Sequence, residues 1–383
     1  MAKSVFLIAG EPSGDALGAS LMRGLKEQGL SEADISGIGG DLMKAQGLES
    51  LLPMDDICVM GLWEVAWHLP RLLRLIEGLV EEIEKRNPDV LVGIDLPDFN
   101  FQIAKRLRKR GVFKGRILHY VAPSVWAWRP GRAKDVASFL DGMMCLFPFE
   151  PQYFKPHGLK AEYVGHPLIE TDKSVFQPVK FREDRGIAED TLCVGLLLGS
   201  RERELKMHSK PFLETISALQ EHYPDLELVV PSVPNLEYQI VALLDDCGVQ
   251  AHVVLDQAQK WDAFAACNVA LAVSGTVGLE LSYAGVPHVI GYRANIVTAL
   301  ILKALMKTPY VHLSNILLQE EAVPEFLQWN CNVNTLTRAM MRLIRYPEQR
   351  EKQVQAFARL EEALRLEGGE SPSTRAAAFV LSA

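Results

Sequence analysis

The residues whose types and spacing carry most chemistry run from Val273 to Arg293, Val-Ser-Gly-Thr-Val-Gly-Leu-Glu-Leu-Ser-Tyr-Ala-Gly-Val-Pro-His-Val-Ile-Gly-Tyr-Arg. Asn268 to Val273 reads as a short buried strand, and Thr276 to Ala284 as a helix closed by Gly285. The turn Ser274-Gly275-Thr276 therefore sets small residues and bare backbone N–H groups at a helix N-terminus, where the dipole favours an anion. Glu280 follows Thr276 by one turn on the same face. A phosphate-sized hole with a carboxylate one turn away suits a nucleoside diphosphate: the N–H groups take the phosphates and the carboxylate accepts from ribose hydroxyls. The plainer alternative is an ordinary strand–helix connection with Glu280 on a solvated face. Gly199-Ser200-Arg201, after Leu196-Leu197-Leu198, repeats the pattern of strand, small residues and anion partner. Arg201 is able to hold a diphosphate bidentately, or else to pair in solvent with Glu202 or Glu204.

The first half offers carboxylates. Gly10-Glu11-Pro12-Ser13-Gly14-Asp15 follows a strand and opens a helix, but it is neither a dinucleotide fingerprint nor a Walker loop. Either Glu11 and Ser13 contact substrate, or the segment is a tight turn with Asp15 capping the next helix. In Ile94-Asp95-Leu96-Pro97-Asp98-Phe99-Asn100, Asp95 closes a buried strand run and Pro97 turns the chain. A carboxylate at a strand terminus is a natural general base. Asp98 is the second candidate, with N-capping of a Phe99–Arg110 helix as its alternative role. His119 and His166 lack any metal spacing and read as structural residues; Trp126 and Trp128 read as loop packing.

These groups need elements to hold them. Strand-like runs fall at Val5–Ala9, Val90–Asp95, Ile117–Val121 and Met143–Phe147, then at Cys193–Leu198, Leu226–Val230, Val253–Leu255, Val269–Val273 and Val286–Tyr292. Short apolar strands alternating with helices predict an α/β fold with one doubly wound parallel sheet per half. We expect an N-terminal domain over 1–170, a second over 171–345 and C-terminal helices over 346–383, with a hinge between His166 and Lys180. Ligands in such folds sit at strand C-terminal ends, so a site between the two domains is expected.

A chain of 383 residues supports two cores, and its formal charge of −8 leaves no basic surplus for general nucleic-acid binding. The six cysteines show no Cys-x-x-Cys pair, which fits reduced thiols in a cytosol. No apolar run approaches a membrane span or a signal peptide. The stretch from Leu62 to Ile83 nevertheless carries two apolar features. Leu72, Ile76, Leu79, Val80 and Ile83 share the stripe a domain core would bury. Trp63 and Trp67 fall on the side of Arg71 and Arg74 if the helix continues, although Pro70 is equally suited to start a new one. Tryptophan beside arginine suits a bilayer interface. The run Lys105, Arg106, Arg108, Lys109, Arg110, Lys114 and Arg116 makes this domain locally basic, as a membrane attractor or as a solvated helix end.

Taken in order, the Gly10–Asp15 and Ile94–Asn100 segments, Tyr120-Val121-Ala122-Pro123-Ser124-Val125-Trp126-Ala127-Trp128, Gly199-Ser200-Arg201 and Ser274-Gly275-Thr276 form a set. Lys307-Thr308-Pro309-Tyr310-Val311 and Ser314-Asn315-Ile316-Leu317 complete it. With these motifs the chain closely resembles the lipid-A-disaccharide synthase family, from about Val5 to the C-terminal helices. Leu198, where the family usually has proline, and Gly278 inside the helix after Thr276 depart from the pattern. The resemblance implies a GT-B fold, two Rossmann-like domains facing a central cleft, and a glycosyltransferase of lipopolysaccharide assembly. It implies transfer from UDP-2,3-diacylglucosamine to 2,3-diacylglucosamine 1-phosphate (lipid X), giving a β-1,6 disaccharide 1-phosphate and UDP. Inversion at the anomeric carbon then calls for one base and a stabilised leaving group, with no metal and no cofactor. Asn315 joins Arg201, Ser200, Gly199, the Ser274–Thr276 turn and Glu280 as donor residues. The resemblance further implies association with the cytoplasmic face of the inner membrane, through a hydrophobic patch that includes Leu69, Leu72 and Leu73, and dimerisation through the C-terminal region. UDP-N-acetylglucosamine 2-epimerases share this architecture, so an isomerase, or a silent sugar-nucleotide-binding protein, is the competing expectation.

Overall fold

The structure is a computed structural model that describes residues 3–57, 62–295 and 308–382, with 299 and 306; the side chains of 55, 62–69 and 128 lie outside the described residues. Two compact units emerge: Met1–Glu170 with Leu364–Ala383, and Thr171–Ala363.

The first unit is built on six parallel strands: β1 (Val5–Ala9), β2 (Ile35–Ile38), β3 (Val90–Ile94), β4 (Arg116–Tyr120), β5 (Gly142–Cys145) and β6 (Lys160–Tyr163), in the order β2-β1-β3-β4-β5-β6. Val5 to Ala9 and Val90 to Ile94 are buried throughout, the continuous apolar run expected of strands covered on both faces. Truncating one of these side chains to alanine would cost about 2–5 kcal/mol. β2 and β6 had no strong sequence signal, because Ile-Ser-Gly-Ile and Lys-Ala-Glu-Tyr are short and mixed with polar residues. In β2 the backbone at Gly37 has φ +143°, and a Cβ there would stand 1.9 Å from the Leu7 carbonyl oxygen.

Helices α1 (Pro12–Glu27), α2 (Asp41–Ala45), α3 (Leu62–Arg86), α4 (Pro97–Arg110) and α5 (Val125–Trp128) connect these strands. α3 runs through Pro70 as one helix instead of restarting there. Its stripe behaves as the periodicity predicts: Ile76, Leu79, Val80 and Ile83 are buried, and Leu72 packs half-buried against the same cluster.

The second unit repeats the plan with β7 (Cys193–Leu197), β8 (Glu227–Pro231), β9 (His252–Val254), β10 (Val269–Val273), β11 (His288–Tyr292) and β12 (Glu325–Leu327), all parallel, ordered β12-β11-β10-β7-β8-β9. The helices used below are α6 (Glu202–Gln220), α7 (Thr276–Tyr283), α8 (Leu313–Leu318), α9 (Val333–Arg345) and α10 (Pro347–Leu364). The last helix, α11 (Pro372–Leu381), belongs to the first unit and packs on α1. Gly24 makes that contact close: a Cβ there would stand 2.3 Å from the Ser373 carbonyl oxygen.

Candidate active site

In the first unit, β3 and β4 end level, with Ile94 opposite Tyr120. The residues just beyond are strained. Asp95, Leu96 and Val121 have φ of +52°, +43° and +84°, a region that costs an L-residue about 1–2 kcal/mol. Such strain persists only where surrounding contacts impose it, and it gathers at working sites. Here the contacts are visible. The Asp95 N–H donates to the Tyr120 carbonyl at 2.9 Å, its Oδ1 accepts from the Leu96 N–H at 2.9 Å, and its Oδ2 accepts from Ser13 Oγ at 2.8 Å. Leu96 is thereby turned towards the end of β1, where a Cβ on Gly10 would meet its side chain at 2.6 Å. The first turn of α1 and the loop after β3 thus come together through Ser13 and Asp95. Glu11 is the N-cap residue of α1 and half-buried.

The other two carboxylates go elsewhere. Asp15 caps a helix, but not the one it opens: it lies inside α1 and its buried carboxylate accepts from the N–H groups of Gly40, Leu42 and Met43 at 2.8, 2.9 and 3.0 Å, closing the N-terminus of α2. Asp98 is not an N-cap, because α4 already starts at Pro97 with Leu96 as its cap residue. Its exposed carboxylate pairs with Arg132 at 2.5 Å. Ser13 and Asp95 form one cluster; Asp98 does not share it.

Beyond β4 and β5 lies a group that the sequence did not flag. Glu150 is buried, accepting from the Phe147 N–H at 3.0 Å and from Trp126 Nε1 at 3.4 Å. Burial pushes its carboxyl up to about 8, against the pull of those donors. Trp126 also packs edge-on against Phe149, with ring centroids 5.2 Å apart, so it is a packing residue as expected. His119 is a core histidine and His166 is half-buried, and burial lowers them to about 3 and about 4.

In the second unit the two small-residue turns lie side by side, since β7 and β10 are neighbours with Leu197 opposite Ala272. Gly199 has φ +101°, and a Cβ on it would meet the Glu204 side chain at 2.5 Å. Glu204 Oε2 accepts from the Ser200 N–H at 3.0 Å, and its Oε1 stands 3.6 Å from Arg201 Nη1. Arg201 itself is half-exposed at the N-cap of α6. The Ser274 hydroxyl donates to the Val311 carbonyl at 3.1 Å, joining its turn to the 308–315 motif. Gly275 and Thr276 are exposed at the start of α7. Glu280 is not on a solvated face: it is about three-quarters buried and pairs with Lys260 at 2.7 Å.

Gly278 has a physical reason. A Cβ there would stand 2.6 Å from the His312 ring. His288 Nδ1 donates to the Val286 carbonyl at 2.8 Å, so its Nε2 accepts from His312 Nε2 at 3.3 Å. Burial holds both rings neutral. Leu198, the other departure, is simply a core residue. Asn315 is buried and fully engaged: its Nδ2 donates to the Val323 carbonyl and to Glu325, both at 2.7 Å, and its Oδ1 accepts from the Val323 N–H at 2.9 Å. It braces the motif from behind.

The interfacial residues divide. Trp63, Trp67 and Leu69 lie outside the described residues. Arg71 and Arg74 are exposed, with Arg71 paired to Asp56, and Leu73 is exposed while Leu72 is half-buried. Among the described residues no helix is long and apolar enough to cross a membrane, and no three His, Cys, Asp or Glu stand together as a metal site.

The family model described as lipid-A-disaccharide synthetase matches residues 5–379. A lipid-A-disaccharide synthase of Rhodospirillum centenum is 43% identical over 378 residues, covering 99% of this chain and 94% of the relative. One from Paramagnetospirillum magneticum is 43% identical over 379 residues, covering 98% and 96%. Among solved structures, a putative UDP-N-acetylglucosamine 2-epimerase from Listeria monocytogenes matches with a TM-score of 0.65 at 15% identity, covering 100% of this chain and 96% of that one. Acinetobacter baumannii MurG matches at 0.57 and 13%, over 100% of both. The epimerase likeness extends to the fold alone, which is GT-B-like, whereas the synthase likeness runs through the sequence from end to end. The chain belongs to the lipid-A-disaccharide synthase family, glycosyltransferases of lipid A biosynthesis.

Proposed function

We propose that the chain joins UDP-2,3-diacylglucosamine to 2,3-diacylglucosamine 1-phosphate by a single, inverting displacement without a metal. Asp95 is the general base. Its carboxylate takes the proton of the acceptor's primary hydroxyl as that oxygen attacks the donor's anomeric carbon. The bond from that carbon to the diphosphate breaks, and UDP leaves with the electron pair. What carries the assignment is the pinned Asp95: an otherwise unfavourable backbone, the Leu96 N–H and the Ser13 hydroxyl together aim one carboxylate at the C-terminal edge of the sheet. Asp98, committed to Arg132, is the less suited candidate, and Glu11 stands on the neighbouring loop.

The leaving charge falls to the second unit. Arg201, with the N–H groups of the Ser274–Thr276 turn and of the Gly199–Ser200 turn, where the Ser200 N–H exchanges Glu204 for the ligand, takes the diphosphate, and Glu280 accepts from the ribose hydroxyls. Asn315 serves that site as the brace of its 308–315 wall. The first unit receives the acceptor and meets the cytoplasmic face of the inner membrane through the Leu62–Arg74 stretch, Trp63, Trp67 and Leu69 included. The C-terminal helices serve dimerisation.

Purified protein is to be incubated with UDP-2,3-diacylglucosamine, with and without lipid X, while UDP and disaccharide are measured. UDP and a β-linked disaccharide formed only when lipid X is present agree with the reading. A 2-epimerised sugar nucleotide, or no turnover in the presence of bound UDP, refutes it.

A further inference from the structure

The second unit contains a cavity of about 780 Å³ that none of the motifs above reaches, between α9 and α10 and over the edge strand β12. That volume falls within the range of ligand sites, roughly 300–1,000 Å³. Its walls are cationic: Arg338 and Arg342, one turn apart on α9, face Lys352 and Arg359 of α10. Glu320 neutralises Arg359, and Glu321 is a second carboxylate in the lining, which leaves four cations against two acids. Arg338, Arg342 and Lys352 have no side-chain hydrogen bond or ion pair among the described residues, and all three are exposed. The floor is apolar, made by Leu343, Ala356, Pro324 and Phe326.

Helix energetics do not account for these charges. A cation in the last turn of a helix complements its dipole, which covers Arg342. Arg338 lies in mid-helix, and Lys352 lies towards the N-terminal end of α10, where a positive charge gains nothing. Nor is this surface a sample of the chain's average, because the whole protein carries −8. The basic run of the first unit gives the opposite picture. There Lys105 pairs with Asp135, Arg106 with Glu77, Arg108 with Asp141, and Arg110 with Glu77 and Glu84.

Unpaired cations around an apolar floor fit a ligand with one anionic head and an apolar stem. We propose that the α9–α10 cavity seats the phosphate and the first part of the acyl chain of an anionic membrane phospholipid, giving the second unit its own hold on the bilayer. Guanidinium groups at the rim take the phosphate, and the floor takes the methylenes. This inference does not rest on the assignment of Asp95 or of the donor site.

Vesicle flotation tests it, with phosphatidylglycerol–phosphatidylcholine vesicles against phosphatidylcholine alone, in phosphate-free buffer. Each neutralised cation is expected to lower partition into the anionic vesicles about fivefold, so Arg338→Gln with Arg342→Gln lowers it about 25-fold. Lys105→Gln with Arg106→Gln, in the paired run, leaves partition within about twofold of wild type. Ala339→Phe, which fills the cavity without touching its charge, is expected to lower partition about tenfold. Thermal melting checks that each variant is folded, and turnover of water-soluble, short-chain substrates stays at the wild-type level. The proposal is overturned if the double variant floats like wild type, or if Ala339→Phe has no effect. It is also overturned if glycerol phosphate binds the cavity as tightly as the vesicles do, which would make it a site for soluble phosphate.

Discussion

The strand ends of the two units solve different problems with different backbones. After β3 the chain uses three consecutive non-glycine residues, Asp95, Leu96 and Pro97, and holds the first two in the left-handed region. After β7 and β10 it uses Gly199 and Gly275 beside serines, with Ser200, Gly275 and Thr276 exposed and no bulky side chain in either turn. On the proposed reading, a base must be held in one orientation towards one proton, and the strained backbone after β3 gives Asp95 that fixed orientation. On the same reading, a diphosphate is large and charged and needs open room, which the small-residue turns and the half-exposed Arg201 of the second unit offer. Fixing and opening are the two halves of one division of labour.

The sharpest way to break that comparison is Asp95→Asn, which keeps the shape and some of the hydrogen bonding but cannot take a proton. Steady-state turnover should fall by about 10²–10⁴-fold, with a melting temperature close to wild type. Asp15→Ala should do the reverse, lowering unfolding free energy by about 3 kcal/mol in a denaturant titration, because three N–H groups of α2 lose a buried acceptor. Equal losses of stability in both variants would erase the distinction between a fixed base and a structural carboxylate.

Glu150 tests the first unit by pH. Its folded pKa, about 8, lies above the ordinary 4.5, so between those values the folded state binds more protons than the unfolded state. Stability from this group is therefore present at low pH and lost as pH rises through about 8. Glu150→Gln should flatten that decline in urea titrations run from pH 5 to pH 9. A smaller effect is expected on the open side. Gly278→Ala forces a methyl against His312 and should cost about 1–3 kcal/mol, with a weaker loss of UDP affinity.

Much of this was legible in the sequence. β1 and β10 fall where the apolar runs placed them, and the glycines at 199 and 285 mark turns as their type suggests. Periodicity also found the buried stripe of α3, because burial follows the helical repeat. Other features depend on contacts between distant residues and leave no local trace. Nothing in Leu-Pro-Asp shows that Asp98 will face Arg132, or that Asp15 will close a helix that starts twenty-six residues later. Lys260 beside Glu280 and Glu204 beneath Gly199 are of the same kind. Gly278 looked like a blemish in α7 until the imidazole beside it supplied the reason. Edge strands β2, β6 and β12 escaped because they are three or four residues long and mix polar with apolar residues.

The division of labour is tested most directly by titrating UDP calorimetrically into Arg201→Ala and Asp95→Asn side by side. The account predicts that Arg201→Ala weakens UDP binding by about 2–3 kcal/mol, the scale of a charge-assisted contact, whereas Asp95→Asn binds UDP as wild type does. Unchanged affinity in Arg201→Ala, or a comparable loss in Asp95→Asn, would contradict it.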